Sequence, residues 1–496
     1  TAALFSDPKR AKVIHDGKPL FALLLAHGIV PAGFTMDTAL AAYLLDPLSS
    51  DYSLSRLAPM YGLTLRGTEL PAELCVLPAL AQVLHDRAQE QGLLPLLQET
   101  ELPLAVVLAD MENAGFSVDT DALAVYGKML GEREEELRQG VCDAVGYTFN
   151  LNSPKQLGEV LFEEMKLPAP KKKKSGYSTD AETLEKLKGV HPIAEEILLY
   201  RQLSKLYSTY AVGLLTAADA TGRLHTDFKQ SLTATGRLSS AEPNLQNIPI
   251  RTPAGREFRR YFIPSDGYVL VDADYSQIEL RLLAILSGDE AMIRAFTSGT
   301  DIHTMTAASA FRIPPEEVTP ALRKSAKAIN FGIVYGISAF SLSQDLHISV
   351  AEAKEYIEHY MQTYPAIRGY LESSVEHAAE VGYTETLYGR RRYIPELKSA
   401  NGAVRALGRR MALNAPLQGT AADIVKMAMV RVARALAEEL PSARMIMQVH
   451  DELVLECPPE DADRAAEILR REMEGVGSDF PVPLTVDVEI GHNWLK

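Results

Sequence analysis

Cysteine is scarce in this chain. Only Cys75, Cys142 and Cys457 occur among 496 residues. They are far apart and odd in number, which argues against a disulfide framework or a Cys-rich zinc site and fits a reducing cytoplasm. Long apolar runs are also missing. No stretch reaches the roughly 18 residues of a membrane helix. The run from Leu20 to Ile29 is too short and lacks a basic lead-in and a cleavage site, so no membrane partner is expected. Internal repeats and low-complexity segments are absent. Positive charge is in deficit: 50 Lys and Arg face 65 Asp and Glu, a net charge of −15. Taken alone, this argues against nucleic acid as the main partner. A basic groove can sit on an acidic body, however, so local clusters matter more. Three stand out: Lys171, Lys172, Lys173 and Lys174; Arg256, Arg259 and Arg260; and Arg390, Arg391 and Arg392. Taken singly, each reads first as a solvated face.

What is present is enough for several cores. The length suggests three or four units of ordinary size. The first residue is Thr1 rather than Met, which reads as a processed or truncated fragment. The first hundred residues, rich in Leu, Ala and Pro, read as a compact mixed domain. Helical patterning begins near Leu102 and includes 122–140, which ends in an exposed charged face. Ser153 before Pro154 and Thr319 before Pro320 are cap-plus-proline helix starts. Thr179 reads as the cap where helices resume at Asp180. Residues 268–274 are β-branched and apolar, a buried strand running into a helix over 278–286. Residues 445–449 and 452–456 read as strands separated by only His450 and Asp451, a tight hairpin. That turn is not the favoured Asn-Gly type, so its residues read as chosen for chemistry.

Asp274 ends the first of these strands and Asp451 sits at the hairpin tip. Both positions present a carboxylate into open space from a rigid backbone. Phosphoryl transfer with two hard cations needs such ligands. The plainer reading is a strand-end cap and a turn former, and spacing alone does not bring the two together. Arg323, Lys327, Phe331 and Tyr335 lie four apart and line one helix face. A triphosphate could lie on the two cations while a base meets the rings. The alternative is an amphipathic surface helix with both aromatics in a core.

These residues resemble the motifs of bacterial family A DNA polymerases. Asp274-Tyr275-Ser276-Gln277-Ile278-Glu279-Leu280-Arg281 is similar to the first catalytic motif, Arg323 through Gly336 to the second, and Gln448-Val449-His450-Asp451-Glu452 to the third. The order is correct, and the resemblance runs from about Pro103 to Lys496, more weakly before. It implies an α/β (α+β) right hand plus an N-terminal RNase H-like 3′–5′ exonuclease-type domain. The implied division is 1–101 degenerate exonuclease-like, 102–117 connection, 118–205 thumb, 206–281 palm, 282–421 fingers and 422–496 palm again.

The resemblance also implies roles. Asp274, Asp451 and the Tyr275 backbone would hold two Mg²⁺ ions, with Mn²⁺ as a substitute, and Glu452 would support them. Lys327 would act in catalysis, and Arg323, Lys327 and His303 would meet nucleotide phosphates. Gln277 and Tyr335 would lie beside the nucleotide, and Phe331 against its sugar. Glu279, helped by Tyr335, would close the space for a ribose 2′-hydroxyl; its plainer reading is a first-turn acid favoured by the helix dipole. Single-subunit phage-type RNA polymerases share related motifs but lack this Glu, so Glu279 favours deoxynucleotides.

Arg237, Asn244, Asn247, Arg410, Asn414, Gln418, Gln448 and His450 would contact primer-template DNA, and Lys171 to Lys174 its phosphates, a salt-dependent and sequence-blind contact. The partners implied are primer-template DNA and deoxynucleoside triphosphates, for a monomer in the bacterial cytoplasm at the nucleoid. In the first hundred residues the nuclease carboxylates are missing. Leu20 aligns with one expected Asp, 76–84 lacks the expected Tyr and Asp, and Asp16, Asp37 and Asp46 stand elsewhere. No proofreading is therefore expected, and the 5′-nuclease domain of longer relatives is not in this sequence. A catalytically silent DNA-binding fragment is the reading from another class.

Overall fold

The structure, a computed structural model, describes residues 2–64, 71–170, 176–250 and 252–495. Its contacts divide it into two compact units. The larger comprises Thr1–Gly115, Asp227–Ala241 and Asp266–Gly491; the smaller comprises Phe116–Thr226, Glu242–Ser265 and His492–Lys496.

In the larger unit, β1 (Lys12–Ile14) pairs in parallel with β2 (Phe34–Asp37). Between them runs α1 (Lys18–Ala26), and α2 (Thr38–Leu45) follows β2 directly. Asp37 caps α2, its carboxylate accepting from Ala39 N at 2.9 Å and from Gly17 N at 2.7 Å. Every residue of α2 is buried, and Phe21, Leu40, Leu44, Leu80, Leu84 and Leu97 form one apolar core. Each such side chain contributes roughly 1.5–3 kcal/mol on leaving water. After the helix Ala72–Glu90 comes α3 (Leu102–Ala114). The hairpin of β3 (Asp227–Lys229) and β4 (Ser239–Ala241) belongs to the same unit.

Its main sheet has four antiparallel strands. In chain order these are β5 (Val269–Tyr275), β8 (Arg444–Val449), β9 (Glu452–Cys457) and β10 (Val486–Gly491). The spatial order is β8, β9, β5, β10. Six of the seven β5 residues are buried, as expected of a β-branched central strand. After β5 come α4 (Ile278–Ser287), α5 (Ile302–Phe311) and α6 (Pro320–Val334). A small hairpin of β6 (Tyr383–Glu385) and β7 (Arg391–Tyr393) precedes the long α7 (Gly402–Glu439), which continues through Pro416. Ala465, Ile468, Leu469 and Met473 line the buried stripe of α8 (Ala462–Glu474), which packs on the sheet and on α7.

The smaller unit centres on a three-stranded antiparallel sheet of Arg223–Leu224, Phe116–Val118 and Phe262–Ile263. Its aromatic centre is Trp494, with ring centroids 5.6 Å from Phe116 and 5.4 Å from Phe262. Arg259, read as part of a solvated cluster, lies instead over the Trp494 ring at 4.0 Å and is buried. The helix expected over 122–140 runs Thr120–Val145, longer at both ends because Asp119 caps its start and Gly146 closes it at φ +92°. Ser153 caps Pro154–Gly158 as expected. Thr179 does not cap the next helix. Asp180 does, accepting from Thr183 N at 2.9 Å, while the Thr179 hydroxyl accepts from Arg201 and is buried. The lysines 171–174 lie outside the described residues.

Candidate active site

Asp274 is the next-to-last residue of β5. Directly across from it stand Glu452 on β9 and Asp487 on β10. Cross-strand partners share a sheet face, and like charges placed so destabilise a sheet. Three acids therefore stand in one row across the sheet.

Asp451 reaches the same place from the hairpin tip. His450 before it is left-handed at φ +51°, a conformation costing a non-glycine residue about 1 kcal/mol or more. The Tyr275 N–H donates to the Asp451 carbonyl at 3.2 Å, which joins the tip to the end of β5. Burial pushes the Asp451 carboxyl up to about 7; the charges of Glu279 and Asp274 add to the rise and Arg237 opposes it. The donors the sequence suggests are two carboxylates with a backbone carbonyl at Tyr275. All are hard oxygens that fit Mg²⁺ or Mn²⁺ rather than a soft metal. Among the described residues no group of three or more His, Cys, Asp or Glu is arranged to hold a metal ion by itself.

Glu279, in the first turn of α4, is buried with two partners. Arg237 Nη2 donates to Oε1 at 2.8 Å, and the Tyr335 hydroxyl donates to Oε2. Burial first, then the charge of Glu279, drives the Tyr335 phenol well above its ordinary value. Two residues, 42 and 56 positions from Glu279, thus meet its carboxylate. Glu279 is also the acid of the first turn of α4, where its charge favours the helix dipole.

Helix α6 starts where expected, with Thr319 accepting from Leu322 N at 3.3 Å. Its buried stripe is Ala326, Ile329, Asn330, Ile333 and Val334. Phe331 and Tyr335 lie off that stripe, half-buried, with near-parallel rings 6.5 Å apart. Lys327 is exposed, its ammonium 5.9 Å from the Phe331 ring. Arg323 Nε pairs with Asp301 Oδ2 at 2.5 Å. The strip is a surface in its own right, and the core reading of its aromatics is set aside.

His303 on α5 has its ring 6.1 Å from Phe331. It is buried, and burial, aided by Arg323 and Lys327, pulls its imidazole down to about 4. Asn330 Nδ2 meets His303 Nδ1 at 3.0 Å, and Asn330 Oδ1 accepts from Thr306 at 3.0 Å. Asn330 went unremarked in the sequence. Its signal was there: a polar residue on the apolar stripe of an amphipathic helix needs a buried partner.

Gln277 enters α4 left-handed at φ +55°, with Oε1 buried and without a hydrogen-bond partner among the described residues. On α7, Arg410 is exposed while Asn414 and Gln418 are half-buried. Asn414 Oδ1 is likewise a buried acceptor without a partner among the described residues. Gln448 Nε2 donates to the His450 carbonyl at 2.5 Å, beside Asp451. Asn244 and Asn247 belong to the smaller unit, both exposed, with Asn244 Oδ1 accepting from Asn247 N at 3.1 Å. Arg390 departs from the solvated-face reading. It is buried against Glu101 and Asp423, because two carboxylates deep in the fold compensate its charge.

The carboxylate row, the cationic and aromatic strip of α6 and the Glu279 corner all belong to the larger unit. Residues 120–496 match the family model for DNA polymerase family A, and the chain belongs to that family. It is 48% identical over 485 residues to the thermostable DNA polymerase I of Thermus aquaticus, covering 97% of this chain and 57% of that protein. To DNA polymerase I of Bacillus subtilis it is 43% identical, covering 98% and 58% respectively. The chain thus spans less than two thirds of the length of these relatives. A solved structure, the POL domain of Pol1 from M. smegmatis in complex with DNA primer-template and dNTP, superposes with a TM-score of 0.94 at 42% identity. That match covers 99% of this chain and 88% of the other.

Proposed function

We propose that this chain is a DNA-templated DNA polymerase that adds deoxynucleotides to a primer 3′-hydroxyl and releases pyrophosphate. The observation that carries this is the meeting of Asp274 and Asp451 beside the Arg237, Glu279 and Tyr335 contacts. Asp274 and Asp451, with the Tyr275 carbonyl, would hold two divalent cations, and Glu452 lies across from Asp274 to support them. Such cations sharpen the attacking oxygen and steady the leaving group. The chain's own part is positioning and charge. Arg323, Lys327 and a neutral His303 bind the triphosphate, Lys327 closest to the reaction, and Phe331 faces the sugar. Gln277 and Tyr335 flank the base, and Glu279 fills the ribose 2′ position.

Arg237, Asn244, Asn247, Arg410, Asn414, Gln418, Gln448, His450 and the lysines 171–174 are assigned to primer-template DNA. This reading makes the main sheet the palm, 282–421 the fingers and 118–205 the thumb. Residues 1–101 are read as a degenerate exonuclease-like part without proofreading. Asp37 supports that last assignment, because four backbone N–H groups already occupy its carboxylate.

The test is extension of a labelled primer on a DNA template with Mg²⁺ and four deoxynucleotides, beside Asp451→Ala. Extension by the parent and none by the variant is expected. A parent that binds primer-template without extending it would leave only a DNA-binding relic.

A further inference from the structure

The segment that delivers Arg237 is gripped from several sides. The Tyr43 hydroxyl, from α2, donates to the Thr233 carbonyl at 2.7 Å. The Thr233 hydroxyl donates to the Arg237 carbonyl at 2.7 Å and closes the loop on itself. Gly236, at φ +86°, lies flat on Arg390; a Cβ there would fall 2.6 Å from Arg390 Nε. On α7, a Cβ at Gly419 would meet Thr386 at 2.6 Å and the Thr235 carbonyl at 3.2 Å. Backbone thus touches side chain with no slack on two faces.

Arg390 is itself held by two carboxylates. Its Nε donates to Asp423 at 2.7 Å and its Nη2 to Glu101. Lys426 Nζ reaches the same Glu101 oxygen at 2.8 Å. All four charges are buried, none more than 3% exposed. Taking four charges out of water costs free energy that their mutual pairing offsets, and the quartet thereby ties Arg390 to its two carboxylates. It sets Arg390, Arg390 seats Gly236, and the next residue, Arg237, reaches Glu279 at 2.8 Å.

We propose that Tyr43 and Arg390 are positioning residues for nucleotide selection: they fix the 233–237 loop that aims Arg237 at Glu279, and through Glu279 they set the rejection of ribonucleotides. This deepens the polymerase reading and rests on it. It also gives α2, in the part of the chain read as a nuclease relic, a role in the polymerase site.

The test compares kcat/KM for one deoxynucleotide and its ribonucleotide in the parent, Tyr43→Phe and Gly236→Ala. Tyr43→Phe removes one hydrogen bond and little volume, so the deoxy-to-ribo ratio should narrow about three- to ten-fold. Gly236→Ala should narrow it further if it folds. In a Glu279→Ala background Tyr43→Phe should narrow nothing more, because the effect passes through Glu279. A ratio that stays at the parental value while both activities fall together overturns the proposal and leaves Tyr43 a purely structural residue. No extension by the parent overturns the polymerase reading itself, and the proposal with it.

Discussion

At Glu279 one carboxylate serves two neighbours that come from distant parts of the chain. Removing it leaves the Tyr335 hydroxyl without its acceptor and Arg237 without its counter-charge. It also opens the volume that a 2′-hydroxyl would enter. Glu279→Ala should therefore raise ribonucleotide use relative to deoxynucleotide use by about ten-fold or more, since excluding a group by a filled space has a large but finite effect. Single-nucleotide insertion kinetics with each substrate check this. A ratio unchanged from the parent would return Glu279 to the role of a first-turn acid. Sequence alone carried both readings of Glu279, because it shows the helix start but not what faces it.

Among the elements, caps and strands were the most legible features. Thr319, Ser153, the strand ending at Asp274 and the hairpin around Asp451 all follow from local chemistry, and the structure has them within a residue or two. Thr179 was misplaced by one position because its hydroxyl serves Arg201. Asp37 shows a similar limit: it was visible as a carboxylate outside the expected nuclease positions, but not as a cap. It holds β2, α2 and the turn at Asp16 and Gly17 together through four N–H donors. Asp37→Ala should cost about 2–3 kcal/mol, combining a lost cap with buried donors left unpaired. A lower urea midpoint, with Mg²⁺ having no influence on the difference, is the expected result. A Mg²⁺-dependent difference would instead make Asp37 a metal ligand. Arg390 was beyond local reading altogether, since its partner Glu101 lies 289 residues away. The unit boundary was equally hidden: the chain leaves the larger unit after Gly115 and re-enters at Asp227, and no local composition marks that return.

Across the whole molecule, charge decides behaviour in acid and on DNA. The unfolded chain protonates His303 near 6.5 and Glu101 near 4.5, whereas the fold holds them to about 4 and about 2. In each of these two windows the unfolded state binds more protons, so the His303 contribution to stability is lost as pH falls below 6.5 and the Glu101 contribution as it falls below 4.5. The Asp451 carboxyl, raised to about 7, takes its proton first in the fold and opposes the His303 loss between about 7 and 3.8. Glu101→Gln should remove the lower window and destabilise the protein at neutral pH by about 3–5 kcal/mol, because Arg390 and Lys426 lose a buried counter-charge. Denaturation midpoints from pH 7 to pH 3 check both claims.

The net charge of −15, taken alone, argues against tight binding to a polyanion, yet the affinity of the proposed complex depends on local phosphate contacts rather than on the sum. Each contact releases counterions and steepens the fall of log affinity against log salt by about 0.9 on duplex DNA. Anisotropy of a labelled primer-template from low to moderate salt should therefore show weakening with salt, as for a basic protein. If the lysines 171 to 174 each meet a phosphate, changing all four to Gln should flatten the slope by up to about 3.6 without altering which sequences bind. A slope unchanged by the four substitutions would remove this run from the DNA interface and leave the arginines and amides of the larger unit to carry it.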